Sequence, residues 1–255
     1  MTRPGLQMQV MEHIVALKQS GNHVIVVHGG GPFIQEELNR HQIQSEFVGG
    51  HRVTPPESLA VVEKALKGTV NGQLVSACNQ LGCKALGLSG KDGQLVLAQK
   101  RMPADAAHKS VDLGAVGDVK SVNTSLLLSL LDLDLIPVIA CLATDEQGRD
   151  YNVNADMMAG FIAGALQAEH LLVLTDVDGL RSNPQDPHSL LSHVSVAEVQ
   201  AMFGNAIQGG MIPKMEACIM ALNMGAKKVV VLNGTQPKSL TEVLHNNKNY
   251  GTTIQ

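Results

Sequence analysis

The chain has 255 residues, of which 44% are hydrophobic and only 2% are aromatic, with no tryptophan. This length and apolar content support a full α/β core, and a core of Leu, Val, Ile, Ala and Met favours helices packed on a buried parallel sheet over a β-sandwich. A formal net charge of −4, without a cluster of Lys and Arg, argues against nucleic acid as a partner.

The first residues and the cysteines indicate where the protein works. No apolar run reaches the roughly 18 residues that a membrane helix needs, and the start lacks the charged-then-apolar order of a signal peptide. The four cysteines are scattered, which predicts buried free thiols at Cys78, Cys83, Cys141 and Cys218. We therefore expect a soluble cytoplasmic protein.

Short apolar segments alternate along the chain with helical patterns. The segments predict strands that are covered on both faces, at 23–27, 84–89, 135–141, 170–176 and 227–233. A helix is predicted over the first residues, where Val10, Ile14 and Leu17 share a face, and further helices at 32–42, 56–67, 71–81, 154–166, 196–203 and 212–224. This alternation predicts an α/β fold with a mostly parallel sheet and helices on both faces.

Two polar stretches interrupt the alternation, at 93–120 and 144–152. They predict β-hairpins that lie over one end of the sheet, where they would be placed to form a lid. The sequence from Thr54 to Glu57, TPPE, predicts a helix start with a capping threonine and a glutamate three residues later.

Residues 24–33 read VIVVHGGGPF, an apolar strand that ends at His28 and three glycines. Ligands of parallel α/β sheets bind where a strand ends and leads into a helix. Successive N–H groups without side chains form an anion cradle, and the helix that begins near Pro32 adds its positive dipole end. A tight turn with positive φ is the alternative, but one or two glycines would satisfy it. The run therefore predicts an anion site, in which His28 orients or packs rather than catalyses.

Two clusters in the first part of the chain carry polar groups near predicted helix starts. In GGHRVT, Arg52 precedes a helix, where its guanidinium fork would fit a carboxylate; a plain surface arginine is the alternative. In YNVNAD, Asn152, Asn154 and Asp156 occupy every second position before an apolar helix. Helix capping would explain one of these three polar groups but not all of them.

Two more clusters follow in the second part. LTDVDGL carries Asp176 and Asp178 before Gly179, on a turn where aspartates often serve only as turn formers. GGMIPK puts Lys214 in the first turn of a helix, where a lysine is unfavourable unless a negative group lies there; a solvated lysine is the alternative. Anion-binding glycines, an arginine, a lysine and an aspartate are the groups that phosphoryl transfer needs, because it depends mainly on positioning and charge stabilisation.

Six motifs, in their order and spacing, resemble the amino acid kinase family over nearly the whole chain. They are VVHGGGP, GGHRVT, GLSGKDG, YNVNAD, LTDVDG and GGMIPK. The resemblance is greatest to the members that phosphorylate the side-chain carboxylate of N-acetyl-L-glutamate in arginine biosynthesis, using ATP and Mg²⁺. It implies a three-layer αβα fold, a homodimer, and a single domain over 1–255. Within that domain, about 1–165 would bind the substrate and form the dimer interface, and about 166–255 would bind the nucleotide.

The resemblance also implies roles for particular residues. Gly30, counted as catalytic, and Gly31 would contact the substrate and the phosphoryl group. Lys214 would stabilise the transition state, with Asp156 organising the lysine. The substrate would also be held by Arg52, Asn152 and Asn154. The nucleotide would contact Lys214 and two turns, one after a strand and one at 206–210. The residues of these turns would be Asp176, Val177, Asp178, Gly179, Ile207, Gln208, Gly209 and Gly210. Mg²⁺ would bridge the phosphates of the nucleotide and would have no ligands from the protein.

One feature usual in the family is not found in the sequence. Members usually begin with a strand that ends in Lys-x-Gly-Gly, whereas here the first residues already read as the following helix, and neither Arg3 nor Lys18 has a spacing that replaces that lysine. Two other functions therefore stay open beside the kinase of N-acetyl-L-glutamate. One is a kinase of a related acylated amino acid, such as an aminoadipate derivative, and the other is a non-catalytic sensor of ATP or an amino acid.

Overall fold

The computed structural model describes residues 5–102, 112–245 and 250–255. The chain forms two compact units: a central unit, Ile25–Met158, and a terminal unit that combines Met1–Val24 with Ala159–Gln255. The first residues thus group with the C-terminal part of the chain, whereas the predicted lobe boundary was drawn only near residue 165. The roles of the two lobes stay predictions.

The helices lie close to the predicted ranges where an apolar stripe marked them. In chain order they are α1 Leu6–Gln19, α2 Gly31–Arg40, α3 Pro56–Glu63, α4 Gly72–Gln80, α5 Thr124–Asp132, α6 Ala155–Ala165, α7 Val196–Met202, α8 Met211–Asn223 and α9 Lys238–His245. Between α3 and α4 the chain forms a π-helical segment, Lys64–Asn71, so the two helices predicted at 56–67 and 71–81 are one uninterrupted helix. Helices α5 and α9 were not predicted from the sequence.

The five predicted strands are confirmed within a few residues, and eight short strands join them in the described part of the chain. In chain order they are β1 Val26–His28, β2 Phe47–Val48, β3 His51–Arg52, β4 Ala85–Ser89, β5 Val96–Lys100, β6 Val116–Val122, β7 Ile136–Ala140, β8 Leu142–Thr144, β9 Asp150–Val153, β10 Leu171–Thr175, β11 His193–Val194, β12 Val229–Asn233 and β13 Thr252–Ile254.

The central unit is built on a parallel sheet with the strand order β1-β7-β4. The middle strand, β7, is buried along its whole length, as the continuous apolar run IPVIA predicts. Ala140 at its end pairs with both His28 of β1 and Ser89 of β4. The carboxyl ends of the three strands are therefore level, and the loops that follow them leave from one edge of the sheet.

The two polar stretches form hairpins, as predicted. Strand β5 pairs antiparallel with β6, and β8 pairs antiparallel with β9. Together the four strands close into a small barrel in the order β5-β6-β9-β8. Residues 103–111 of the first predicted hairpin lie outside the described residues.

The predicted capping role of Thr54 is wrong. Helix α3 begins at Pro56, its N-cap is Pro55, and no side chain caps it. Thr54 is fully buried, and its hydroxyl donates instead to the carbonyl of Arg52 at 2.8 Å. The helix starts too late for the threonine to reach its free N–H groups, since a cap must immediately precede the first helical residue.

The terminal unit has a mixed sheet with the strand order β10-β12-β13-β11. Strands β10 and β12 are parallel, and β13 runs antiparallel to β12. Its core is apolar, with Val199, Met215 and Val229 fully buried. Helix α1 packs in this unit beside α9, where His13 Nδ1 and Thr241 Oγ1 lie 3.1 Å apart.

The four cysteines were predicted to be buried free thiols, and Cys83 is an exception because it is only partly buried. All four cysteines are free, and three of them, Cys78, Cys141 and Cys218, are buried. Burial raises the pKa of Cys78 to about 11, as expected for unreactive core thiols. Over the described ranges, every helix is too short or too polar to span a bilayer.

Candidate active site

The glycine loop, residues 29–31, leaves the carboxyl end of β1 and leads directly into α2. Gly30 is the N-cap of this helix, and Pro32 occupies its first turn. The first N–H groups of a helix have no acceptor within the helix, so this end presents donors and the positive end of the dipole. The geometry is that of an anion-binding helix start.

Gly30 and Gly31 of this loop differ in what surrounds them. A Cβ at Gly30 would lie 2.9 Å from Leu66 Cδ2 and 3.2 Å from Val70 Cγ2, because the π-helical segment presses against the loop. Its φ of −176° is extended backbone that any residue adopts, so packing alone selects glycine there. A Cβ at Gly31 would meet nothing within 4 Å, which leaves open space over the start of α2.

Arg52 lies on β3, beside this open space. It is only 8% exposed, and its NH2 donates to the carbonyl of Gly31 at 3.3 Å. Its NH1 donates to Gln35 Oε1 at 3.0 Å and to the hydroxyl of Ser45, while the ring of Phe47 stacks on the guanidinium at 4.5 Å. Burial lowers the pKa of Arg52. Among the residues that the structure describes, every partner of this buried cation is neutral.

The buried hydroxyl of Thr54 links Arg52 to Asn152. It donates to the Arg52 carbonyl and accepts from Asn152 Nδ2 at 3.2 Å. The structure therefore brings Gly31, Arg52 and Asn152 together. This role of Thr54 was not predicted, because its place before two prolines suggested a helix cap.

The other two polar residues of YNVNAD separate into different roles. The side chain of Asn154 caps α6, since its Oδ1 accepts from the N–H of Met157 at 3.0 Å. Asp156 lies in the first turn of α6. Burial raises the pKa of Cys141 to about 12, and the nearby charge of Asp156 adds to this rise. Because Cys141 directly follows β7, Asp156 lies near the same carboxyl edge as the glycine loop.

The terminal unit holds the residues predicted to bind the nucleotide. Asp178 Oδ1 accepts from Asn233 Nδ2 at 2.7 Å and from Gln236 Nε2 at 3.3 Å, whereas Asp176 is exposed and accepts from Thr175 Oγ1 at 3.2 Å. Asp178 thus ties the end of β10 to the end of β12, and Asp176 faces solvent. Val177 lies between them, half-buried.

Gly179 is required by its surroundings. Its φ is 149°, and an added Cβ would lie 2.5 Å from Thr252 Oγ1 of β13. The hydroxyl of Thr252 accepts from the N–H of Leu180 at 2.7 Å. The glycine lets the backbone after β10 approach β13, which is a packing role in addition to the predicted nucleotide contact.

The turn before α8 is open around its glycines. Ile207 is fully buried in the core, so only its backbone is available to a ligand. Gln208, Gly209 and Gly210 are exposed, and an added Cβ at either glycine would meet nothing within 4 Å. A phosphate has room to approach this backbone. Lys214 follows in the first turn or so of α8, which begins at Met211.

The donor set also bears on the predicted metal. Over the described ranges, no group of three or more His, Cys, Asp or Glu side chains forms a ready cation site. Mg²⁺ bound with a nucleotide keeps several waters and takes its other ligands largely from phosphates. The residues present therefore fit a metal that arrives with the nucleotide, with the exposed carboxylate of Asp176 as a side chain able to contact its hydration shell.

Comparison with known proteins identifies relatives of this chain. Residues 2–233 match the sequence model of the amino acid kinase family. A protein of Methanothrix thermoacetophila named acetylglutamate kinase is 41% identical over 100% of this chain and 88% of its own length. A protein of the same name from Nitrobacter winogradskyi is 44% identical over 96% of this chain and 84% of its own length.

Solved structures share the fold. N-acetylglutamate synthase from Neisseria gonorrhoeae, complexed with coenzyme A and N-acetyl-glutamate, is 25% identical with a TM-score of 0.86; the match covers 99% of this chain but only 56% of the synthase chain. Carbamate kinase from Giardia lamblia bound to AMP-PNP, at 15% identity, has a TM-score of 0.67 over 97% of this chain and 89% of its own. The predicted α/β class is confirmed, and the chain belongs to the amino acid kinase family.

Proposed function

We infer that this protein is an acetylglutamate kinase, which transfers a phosphoryl group from ATP to the side-chain carboxylate of N-acetyl-L-glutamate and forms N-acetyl-L-glutamyl 5-phosphate in arginine biosynthesis. Relatives that carry this name are 41% to 44% identical over nearly the whole chain. The structural observation that supports it best is the buried cation of Arg52, whose partners beside the glycine loop are all neutral in the part of the chain that the structure describes.

A buried cation without a counterion is costly, because desolvation disfavours the charged form. A substrate carboxylate would remove this cost, and the planar guanidinium can bind it through two parallel hydrogen bonds. Arg52 therefore suits the α-carboxylate of the substrate. Asn152, joined to Arg52 through Thr54, would hold the acetylamino end.

The chain's other predicted residues would supply charge stabilisation rather than acid–base chemistry. The acceptor carboxylate has an ordinary pKa of about 4.3 and is ionised at pH 7, so no general base is needed. Gly30 and Gly31 would direct N–H groups at the transferring phosphoryl group, and Lys214, organised by Asp156, would stabilise its developing charge. Bound ATP, with Mg²⁺ on its phosphates, supplies that phosphoryl group. Asp176 to Gly179 and Ile207 to Gly210 would form its binding surface.

We also propose an oligomeric state and a cellular compartment for this protein. The resemblance to the family suggests a homodimer and a cytoplasmic enzyme, where ATP and the acylated amino acid are both at hand. Sedimentation of the purified chain would test the first of these, with a single species of twice the chain mass as the expected result.

The direct test is an assay that couples ADP release to NADH oxidation. We expect ADP release that depends on N-acetyl-L-glutamate, and that is weaker with the homologous N-acetyl-aminoadipate. A preference for the longer substrate would favour a kinase of aminoadipate derivatives. Background turnover together with thermal stabilisation by ATP would favour a sensor.

Arg52 provides the matched variants. Hydrogen bonds to charged groups are worth about 1.5–3 kcal/mol, so Arg52→Gln should raise KM for N-acetyl-L-glutamate by about 10–100-fold, and Arg52→Lys by less. Arg40→Gln is the control, because Arg40 is exposed on α2 and pairs only with Glu36 and Glu37 in the described chain. An unchanged KM in both Arg52 variants would exclude Arg52 from carboxylate binding.

A further inference from the structure

The helix formed by α3 and α4, which packs against the glycine loop, contains a π-helical segment between its two parts. Residues 64–71 form a π-helix, which is rare in proteins and occurs mostly at functional sites. Its i→i+5 hydrogen bonds bring residues five apart to the same side of the helix. Leu66 and Asn71 are five apart, and both contact the segment at the end of β1. Leu66 lies against Gly30, and Asn71 contacts His28.

Asn71 is a buried polar group in this contact, only 3% exposed. Its Nδ2 donates to the carbonyl of Val138 at 2.9 Å, lies 2.9 Å from His28 Nε2, and lies 3.4 Å from the carbonyl of Leu88. These partners belong to β7, β1 and β4, so one amide joins all the strands of the central parallel sheet. Because carbonyl oxygens only accept, the NH₂ group must face them, which fixes the orientation of the amide.

The orientation of Asn71 fixes the tautomer of His28. Since Nδ2 only donates, His28 Nε2 must accept. The other ring nitrogen, Nδ1, lies 3.0 Å from the carbonyl oxygen of Gly29, which also only accepts. The proton of the ring therefore resides on Nδ1. Burial lowers the pKa of His28, so the imidazole is neutral near pH 7, with one donor and one acceptor as this chain of hydrogen bonds requires.

We propose that Asn71 and His28 form a positioning relay that aims the Gly30 N–H at the bound anion. In a trans peptide the C=O and N–H point in opposite directions. The hydrogen bond from His28 turns the Gly29 carbonyl toward the ring, so the N–H of the same peptide, which belongs to Gly30, points away from it at the start of α2. The π-helical segment brings both the amide and the apolar contacts to this loop. The role in catalysis rests on the proposed kinase function.

The test compares two replacements of His28. Asparagine places its amide nitrogen at the same number of bonds from Cα as Nδ1, so His28→Asn keeps a donor for the Gly29 carbonyl, whereas His28→Leu has none. A misplaced donor lowers the rate by up to about 10²-fold. We expect His28→Leu to lower kcat by about 10–100-fold with little change in KM for ATP, and His28→Asn to retain most of the wild-type kcat.

Asn71→Ala should lower kcat in the same way, while Asn79→Ala, an exposed amide in α4, should not. Thermal melting of every variant checks that it is folded. If His28→Asn and His28→Leu lose equal activity while both remain folded, His28 has only a packing role and the proposal is overturned. Unchanged kcat in His28→Leu would overturn it as well.

A readout without turnover separates this proposal from the proposed function. The ¹⁵N spectrum of the imidazole in the unliganded wild type should show the proton on Nδ1, and Asn71→Ala should populate the other tautomer and shift the Gly30 amide resonance. A proton on Nε2 in the wild type would overturn the relay. The protein could show the expected tautomer and resonance shifts and yet not phosphorylate N-acetyl-L-glutamate. That result would overturn the kinase function, and the relay would then serve only to anchor the glycine loop.

Discussion

Gly30 and Gly31 are adjacent but differ in what surrounds them. Beside Gly30 the side chains of Leu66 and Val70 occupy the place that a Cβ would need, at 2.9 and 3.2 Å. Beside Gly31 there is open space, and its N–H stands in the first turn of α2, where donors are free for a ligand. Stability and activity should therefore respond differently to a methyl group at the two positions.

We predict that Gly30→Ala lowers both stability and activity, because overpacking of this kind costs about 1–3 kcal/mol. Gly31→Ala should leave the melting temperature near that of the wild type but lower kcat, since the methyl group would enter the space proposed for the phosphoryl group. Melting curves and steady-state rates of both variants check this. Equal loss of stability in both variants would show that the space over Gly31 is not open in solution.

At the scale of residues, the sequence predicted roles for the glycine loop and Arg52, which the structure brings together, because their chemistry is local. Three successive glycines and an arginine before a helix are readable without knowing which chains pack against them. The sequence failed at Thr54, whose hydroxyl serves Arg52 and Asn152 rather than a helix. It also missed Asn71, because a polar residue between the apolar positions of a helix is typical of the solvent-facing side.

Among the elements, the turn of the β8–β9 hairpin is stabilised by the carboxylate of Asp145. Asp145 is 6% exposed and accepts from the N–H groups of Gln147 and Arg149, from Arg149 Nε and from the hydroxyl of Tyr151. Burial disfavours the charged carboxylate, but these hydrogen bonds outweigh it and lower the pKa of Asp145 to about 2. The hairpin carries Asn152, so its stability bears on the substrate side of the site.

The lowered pKa predicts a dependence of stability on pH. The ordinary value is 3.8, so the carboxylate contributes its full stability above that pH and loses it as the pH falls through about 2. The difference in melting temperature between wild type and Asp145→Asn should be full at neutral pH and shrink in that acidic range. Glu146→Gln is the control, because Glu146 is exposed and pairs with Lys120 at the surface. A difference that stays constant with pH would mean that ionisation of Asp145 is not its source.

At the scale of elements, the sequence predicted the buried strands well, but it predicted two helices where α3 and α4 form one continuous helix. Buried parallel strands read as continuous apolar runs, so β7, β10 and β12 were placed within a few residues. The helices predicted at 56–67 and 71–81 leave out Gly68, and Gly72 lies at the start of the second helix; glycine is a poor helix former. The structure keeps both residues helical. The π-helical register depends on contacts with the sheet, which the local sequence does not contain.

For the whole molecule, the residues proposed to bind substrate and nucleotide fall into different units. Gly30, Gly31, Arg52, Asn152 and Asp156 belong to the central unit, whereas the proposed nucleotide residues and Lys214 belong to the terminal unit. The sequence could not show that helix α1 joins the terminal unit, because that grouping rests on packing between residues more than 200 positions apart, such as His13 and Thr241. We therefore expect N-acetyl-L-glutamate to contact residues of the central unit and ATP to contact mainly residues of the terminal unit.

Lys214 tests whether the protein is a catalyst or a sensor. A ligand that binds the folded state raises the melting temperature according to its concentration and affinity. If Lys214 stabilises the transition state, Lys214→Ala should lower kcat by about 10²–10³-fold, as removal of one preorganised donor does, while N-acetyl-L-glutamate stabilises the variant as much as the wild type. Lys227→Ala, an exposed lysine of the same unit, should change neither quantity. If ATP binding weakens in Lys214→Ala and the wild type has no turnover to lose, the lysine only binds nucleotide, and the protein is a sensor that retains the kinase fold.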